Sequence, residues 1–356
     1  MKLKNVFALL LAAVMLFTLA ACKAKQPEET TVETTAEDTT APVPAETDKR
    51  NPLTGEAGYD EAMLALKGVG IVVENHPQAR PQWGFATPDI VMEYEVEGGI
   101  SRMLWLYANP ERVPDKVGPV RSARHDVVEL AQGLGLLFVH CGGSPQALNY
   151  IKKLGDGFSE LDGLSLTKYF ARDTSRSVSQ EHTLTISREG LAKGIEGQKI
   201  NTGRDPEAGT LFTFAPVDAP VSPAGGDATH LRIVYSGSYV YDFDYDAAAG
   251  KYAVRLNDKG QTDENGVNNA YTNVLALYTE MIDLGDQDHH QDLLLEKGGK
   301  GLWLSGGRYE EITWQKTAAN EPLRLFTAAG EPLTLNVGNS YIGFVRSTNE
   351  SKTVLK

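Results

Sequence analysis

Residues 89–108 read DIVMEYEVEGGISRMLWLYA. The first nine alternate strictly, with Ile90, Met92, Tyr94 and Val96 on one side and Asp89, Glu93, Glu95 and Glu97 on the other. A period of two marks a strand whose two faces meet different surroundings. Gly98-Gly99 supplies a tight turn, and ISRMLWLYA (100–108) returns as the partner strand. Upstream, GVGIVVEN (68–75) has the composition of a short buried strand. Downstream, SARHDVVELAQGLG has helical spacing, with Ser122 expected at the N-cap. LGLLFVHCGGS (134–144) is a strand running into a glycine-rich loop. SPQALNYIKKLG follows as a helix, capped by Ser144 with Pro145 at its first position. Residues 51–203 are therefore expected to form an N-terminal mixed α/β domain.

Beyond residue 204 the helical signal fades. LRIVY, YVYDFDYD, KYAVRL, TNVLALYTEMI, KGLWLSGGRYEEITWQK and SYIGFVR are short runs divided by Gly, Asp and Asn. That pattern predicts a mostly antiparallel β domain over residues 204–356, and an α+β class for the whole. In YVYDFDYD, Tyr239, Tyr241, Phe243 and Tyr245 share one face. An aromatic stripe at period two points to core packing more than to a sugar-binding surface.

The N-terminus carries a different signal. Lys2 and Lys4 precede an apolar run from Val6 to Ala20, followed by Ala21 and Cys22. This is the pattern of a secretory signal peptide over residues 1–21. Leu19-Ala20-Ala21-Cys22 fits a bacterial lipobox, in which the chain is cut before the cysteine and the cysteine is lipidated. A diacylglyceryl group supplies the two acyl chains that stable anchoring needs. Residues 22–50 are rich in Thr, Glu, Pro and Ala and cannot bury enough surface to order themselves, so they are expected to be a flexible tether. The expected location is the cell membrane, lipid-anchored on its extracytoplasmic face.

The chain has 356 residues and a formal net charge of −13. That balance excludes nucleic acid as the main partner, because phosphate backbones are bound by positive surfaces. Of two cysteines, Cys141 is left without a disulfide partner once Cys22 is lipidated. No cofactor fingerprint and no metal-ligand spacing appears; DQDHHQD (286–292) lies between strands and is expected to be a polar turn.

Several longer stretches resemble a known family. They are NPLTGE, ENHPQARPQWGF, PDIVMEYEVEGGISRMLWLY, KVGPVRSARHD, HCGGSPQA and FARDTSR, then TNVLALY and GKGLWLSGGRYEEITWQK. Together they resemble the YerB-like bacterial lipoproteins, which are built from a two-part domain of unknown function. The resemblance covers nearly everything after the tether. It implies a membrane-anchored extracytoplasmic protein with a mixed N-terminal domain and a C-terminal β domain, and no particular activity. Two motifs depart from the family's usual form. His125 stands where the family more often has an aromatic residue, and EHTLT keeps His182 but lacks the family's Pro and Asn.

The chemistry-bearing residues gather in the first half. Arg121 and Arg124 flank the start of a helix, where free N–H groups and the dipole favour anions. Arg102, Arg80 and Arg172 are further cations, and guanidinium forks suit carboxylate and phosphate alike. With Glu74, Asn75 and Ser144 they make a candidate site for an anionic cell-wall or lipid-phosphate ligand, or for an envelope protein partner. The alternative is a cell-wall hydrolase or a glycan or phosphate transferase, with Glu93 or Glu97 as acid or base and His140 or His182 assisting. Four residues of strand separate Glu93 from Glu97 by about 13 Å. A glycosidase pair needs about 5–10 Å, so a second carboxylate such as Glu74 or Asp173 would be required. A third possibility makes the charges a structural ion-pair network.

Overall fold

The run at 89–97 and its return at 100–108 do pair, antiparallel, near the centre of an eleven-stranded sheet. A computed structural model describes residues 49–205 and 211–356. The expected signal peptide, Cys22 and the tether as far as residue 48 lie outside the described residues. Lys49 and Arg50, at the expected end of the tether, already join the fold: Arg50 bridges Ala57, and Tyr59 N donates to Lys49 O at 3.3 Å.

The first half contributes β1 (Val69–Glu74), β2 (Ile90–Glu95), β3 (Ser101–Tyr107), β4 (Leu137–His140) and β5 (Glu160–Asp162). The second contributes β6 (His230–Ser236), β7 (Tyr239–Asp246), β8 (Lys251–Leu256), β9 (Asn273–Thr279) and β10 (Gly299–Ser305). It continues with β11 (Arg308–Gln315), β12 (Arg324–Thr327) and β13 (Ser340–Arg346). The large sheet runs β12-β11-β10-β9-β13-β2-β3-β1-β4-β5, with the short strand Gly226–Asp227 beside β11. β13 pairs parallel with both β9 and β2.

That insertion joins the two expected domains. The ranges 51–203 and 204–356 both contribute strands to one sheet. The reason is an edge: without β13, one side of β2 would expose unpaired N–H and C=O groups along a buried strand. The class is α+β, with antiparallel pairs in the majority.

Each face of the large sheet carries its own core. On one side β6, β7 and β8, part of a six-stranded antiparallel sheet, pack Ile233, Tyr235, Tyr241 and Phe243 against Val73, Val91, Met103 and Trp105. The period-two aromatic stripe is thus core, with Tyr239, Tyr241 and Phe243 buried. On the other side lie α1 (His125–Gly133) and α2 (Pro145–Leu154), whose Val127, Leu130, Ala147 and Ile151 pack with Val72, Met92, Tyr94 and Phe138. β2 is therefore buried on both faces from Ile90 to Tyr94, and only Glu95 at its end is partly exposed.

Ser144 Oγ accepts from Ala147 N at 3.2 Å, capping α2 ahead of Pro145. Ser122 does not cap α1. Arg124 occupies that N-cap position with extended backbone and no side-chain cap bond. α1 starts two residues later than its sequence pattern suggests, because residues 121–123 are drawn into bonding with neighbouring loops: Cys141 N donates to Arg121 O, and Ala123 N donates to Gly142 O.

Candidate functional site

Three of the sequence-selected arginines converge at the end of β1 and the turn before α1. Arg124 grips Glu97 with both ends of its fork, through Nη2 and through Nε at 3.1 Å. Arg102 Nη2 lies 3.7 Å from the same Glu97 carboxylate, and its Nη1 donates to Ser122 O at 2.9 Å. Arg121 Nε sits 3.2 Å from Glu74 Oε1, an ion pair without hydrogen-bond alignment, while its Nη2 reaches Glu181 Oε2 at 2.5 Å. Arg102 is nearly sealed, and its Nε has no hydrogen-bond partner. Burial and the neighbouring Arg124 charge lower its pKa to about 10. Burial pushes the Glu97 carboxyl up, but the Arg124 bonds and charge outweigh it and hold the group below its ordinary value.

Next to this lies an imidazole–carboxylate unit. His182 Nδ1 is 2.8 Å from Glu74 Oε2, both residues being buried. The His182 ring stacks on His76 with centroids 4.7 Å apart and planes 1° from parallel. Burial, then the His182 charge, lower the His76 pKa. Further along, Arg80 lies over the Tyr239 ring at 5.4 Å and donates to its hydroxyl at 3.3 Å. The sequence reading missed His76 and Glu181. Both sit within quoted or adjoining motifs, beside Asn75 and His182, and neighbouring position was the only signal for them.

The structure separates several residues that the sequence grouped. Glu93 is not part of the arginine cluster. Arg102 is the register partner of Tyr94, so its side chain shares Tyr94's face of the sheet and Glu93 takes the opposite one. Glu93 is wholly buried between the two sheets, held by Ser101 Oγ, Asn75 Nδ2 at 3.0 Å and Tyr341 OH at 2.7 Å. Burial raises its carboxyl to about 7, against the pull of those bonds. Asn75 also reaches Tyr241 OH at 2.8 Å, so it belongs to this interior network. Glu97 escapes the alternation because β2 ends at Glu95 and residues 97–99 form a 3₁₀ turn. Glu95 pairs with Arg346 at 3.2 Å.

His140 is fully buried, with Nε2 2.7 Å from Glu160 Oε2 and Nδ1 2.8 Å from Gly142 O. Its partners are Glu160 on β5 and the Gly142 carbonyl, not the arginines. Ser144 is spent on capping α2, and Arg172 is exposed, donating to Gln180 O at 2.6 Å. Asp173 pairs with Lys116. The 286–292 segment spans most of the turn between the antiparallel strands Met281–Asp283 and Gln291–Leu293 and the start of the second strand. Among the described residues no cluster of His, Cys, Asp and Glu could hold a metal ion.

The fold and site define an α+β protein with two large packed sheets and a basic rim over an imidazole–carboxylate pair. Two family models match it: "Protein of unknown function (DUF3048) N-terminal domain" over residues 53–201, and the C-terminal domain of the same family over residues 231–342. The chain belongs to this family. It is 32% identical over 274 residues to "Putative lipoprotein YerB" of Bacillus subtilis (strain 168), covering 74% of this chain and 77% of the relative. It is also similar to the crystal structure of the YerB protein from Bacillus subtilis, with a TM-score of 0.74 and 27% identity over 86% of this chain and 99% of that one. The lipoprotein relative points to an envelope location held at a membrane.

Proposed function

We propose that this protein, anchored through a lipid on Cys22 at the extracytoplasmic face of the membrane, binds an anionic group of a cell-envelope molecule at the Arg121 rim. The observation that carries this is the convergence of three guanidiniums on one rim, one of whose three carboxylate partners lies at the surface. Three guanidiniums, on Arg102, Arg121 and Arg124, share the two inward carboxylates of Glu74 and Glu97. The third carboxylate, Glu181, is half-exposed and is free to turn aside for a ligand. In a chain of net charge −13, such a cluster is a local device and not a general surface property. A phosphate or carboxylate meeting Arg121 would take the place of Glu181 with charge-assisted bonds.

The hydrolase or transferase reading draws less support. Glu93 is sealed between the sheets, and Glu97 is clamped by two arginines. Neither is placed as a free acid or base.

The test is thermal and chemical denaturation of the full chain in detergent, with inorganic phosphate and then a polyprenyl phosphate. At a hundred times its dissociation constant, a ligand that binds only the folded state adds about 2.7 kcal/mol. The expected result is stabilisation of the wild type and none of Arg121→Ala. If neither anion stabilises the wild type, the anion reading fails and an envelope protein partner becomes the next candidate.

A further inference from the structure

Arg204 is partly buried, yet among the described residues its guanidinium has no hydrogen-bond or ion-pair partner. Burial alone shifts its pKa, downwards, and the adjacent Asp205 takes no share in that shift. A cation drawn out of water without an anion is costly, and such groups normally find one. Arg204 lines an open cleft of about 860 Å³ with Pro52, Leu64, Ala65, Phe214 and Pro216. These walls can be reached from outside. Ala65 and Pro216 are exposed, and Pro52, Leu64 and Phe214 each keep part of their surface open. They are also held in place. Arg204 N donates to Ala65 O, and Lys67 N to Thr202 O, both at 2.7 Å. Phe214 rests on Gly55, where an added methyl would fall 2.5 Å from its ring, and Phe212 packs edge-on against it at 5.9 Å. At the rim Lys49 pairs with Glu61 at 2.9 Å, and Arg50 donates to Ala215 O at 3.3 Å.

We propose that this cleft holds an anionic phospholipid of the anchoring membrane, with its phosphate on Arg204 and the start of an acyl chain along Leu64, Phe214 and Pro52. A guanidinium fork takes two phosphate oxygens at once. Methylene groups gain by leaving water for the leucine, phenylalanine and proline surfaces beside it. Apolar walls around one well-placed charged group are the usual make-up of a small-molecule site. The path of the chain selects a membrane lipid as the occupant. Lys49 lines the cleft, and residues 23–48 join it to Cys22, so a lipid on Cys22 is tethered to the fold at the cleft's own rim. Anchorage there keeps phospholipid at a high effective concentration. This site depends on the membrane anchorage proposed above and not on the Arg121 rim.

Native mass spectrometry of the full chain, released from a nonionic detergent, tests this with dioleoylphosphatidylglycerol as the probe. Dioleoylglycerol has the same chains without the phosphate, and glycerol 3-phosphate has the phosphate without the chains. The expected result is a phosphatidylglycerol adduct on the wild type and little of either control. Arg204→Gln should bind at least about tenfold more weakly, as the loss of hydrogen bonds to a charged group implies. Three results would overturn the proposal: no phosphatidylglycerol is retained, either control is retained as well, or Arg204→Gln binds unchanged. The comparison of the three ligands on the wild type decides the matter even if Arg204→Gln does not fold. Arg121→Ala should keep the adduct, and its loss there would move the lipid to the rim. The covalent lipid on Cys22 is read from the same spectra, so a chain that lacks its anchor is told apart from one whose cleft is empty.

Discussion

Glu74 and Arg102 stand opposite one another in the antiparallel register of β1 and β3, yet their side chains do not pair. Glu74 turns to His182 and Arg121, and Arg102 turns to Glu97 and the Ser122 carbonyl. This crossing of partners ties the strand ends to two different loops. The loop before α1 is held through Arg124 and Arg121, and the 179–182 turn is held through His182 and Glu181. The rim is therefore built across four chain segments, and Glu97 serves two guanidiniums.

Removing Glu97 should show how much the clasp matters to the fold. Glu97→Gln leaves Arg124 and the buried Arg102 without their shared carboxylate. Stranding one partner of a buried pair costs about 3–5 kcal/mol, and the partial exposure of Glu97 places this case near the lower end. Urea denaturation is the measurement. A cost below about 1 kcal/mol would class the pair with surface bridges, which contribute little.

Glu93 predicts a pH dependence of definite sign. Its carboxyl is raised from 4.5 to about 7 in the folded protein. Between those values the folded state binds more protons than the unfolded one, so stability is fullest below about pH 4.5 and falls as pH rises towards 7. At about 1.4 kcal/mol per unit, the loss is on the order of 3 kcal/mol. Asp126, raised to about 7 by burial and by Asp292, acts in the same direction. Glu93→Gln should therefore lose less stability than the wild type between pH 5 and pH 8. An equal or larger loss in the variant would show that Glu93 does not titrate there.

Much of this architecture is legible in the sequence, and the failures have local causes. Period two marks β2 and β7, the Gly98-Gly99 turn marks the return of β3, and Ser144-Pro145 marks the start of α2. SYIGFVR reads as a strand, but nothing in it says that it enters between β9 and β2. That adjacency is set by the need of β2 for a partner on each edge. Alternation groups Glu93 with Glu97, and it fails where the strand gives way to the turn at Glu97–Gly99. The gathering of Arg102, Arg121 and Arg124 follows from spacing and charge, whereas the stack of His76 on His182 joins residues 106 positions apart in the chain.

Ser144 distinguishes capping from ligand contact. Its Oγ satisfies the Ala147 N–H, one of the free donors of the first turn of α2. Ser144→Ala should cost about 1 kcal/mol in urea denaturation, the usual price of a lost N-cap. It should leave anion binding at the Arg121 rim unchanged. A loss of binding with unchanged stability would return Ser144 to the ligand site.

Gly343 marks a close approach of the large sheet to the six-stranded one. It lies in β13, and a methyl group added there would fall 2.4 Å from Tyr235 OH and 3.2 Å from Ile233. The Tyr235 hydroxyl is not free to withdraw, because it bonds Tyr341 OH at 2.9 Å beneath the buried Glu93. Overpacking of this kind typically costs about 1–3 kcal/mol, so Gly343→Ala should destabilise the protein by that much. Tyr235→Phe removes the oxygen that the methyl meets, at the expense of its hydrogen bond. In the Tyr235→Phe background the Gly343→Ala change should therefore cost less, which gives a favourable coupling in a double-mutant cycle. Strict additivity would mean that the sheets relax apart without involving this contact, and that the inter-sheet network around Glu93 does not set their spacing.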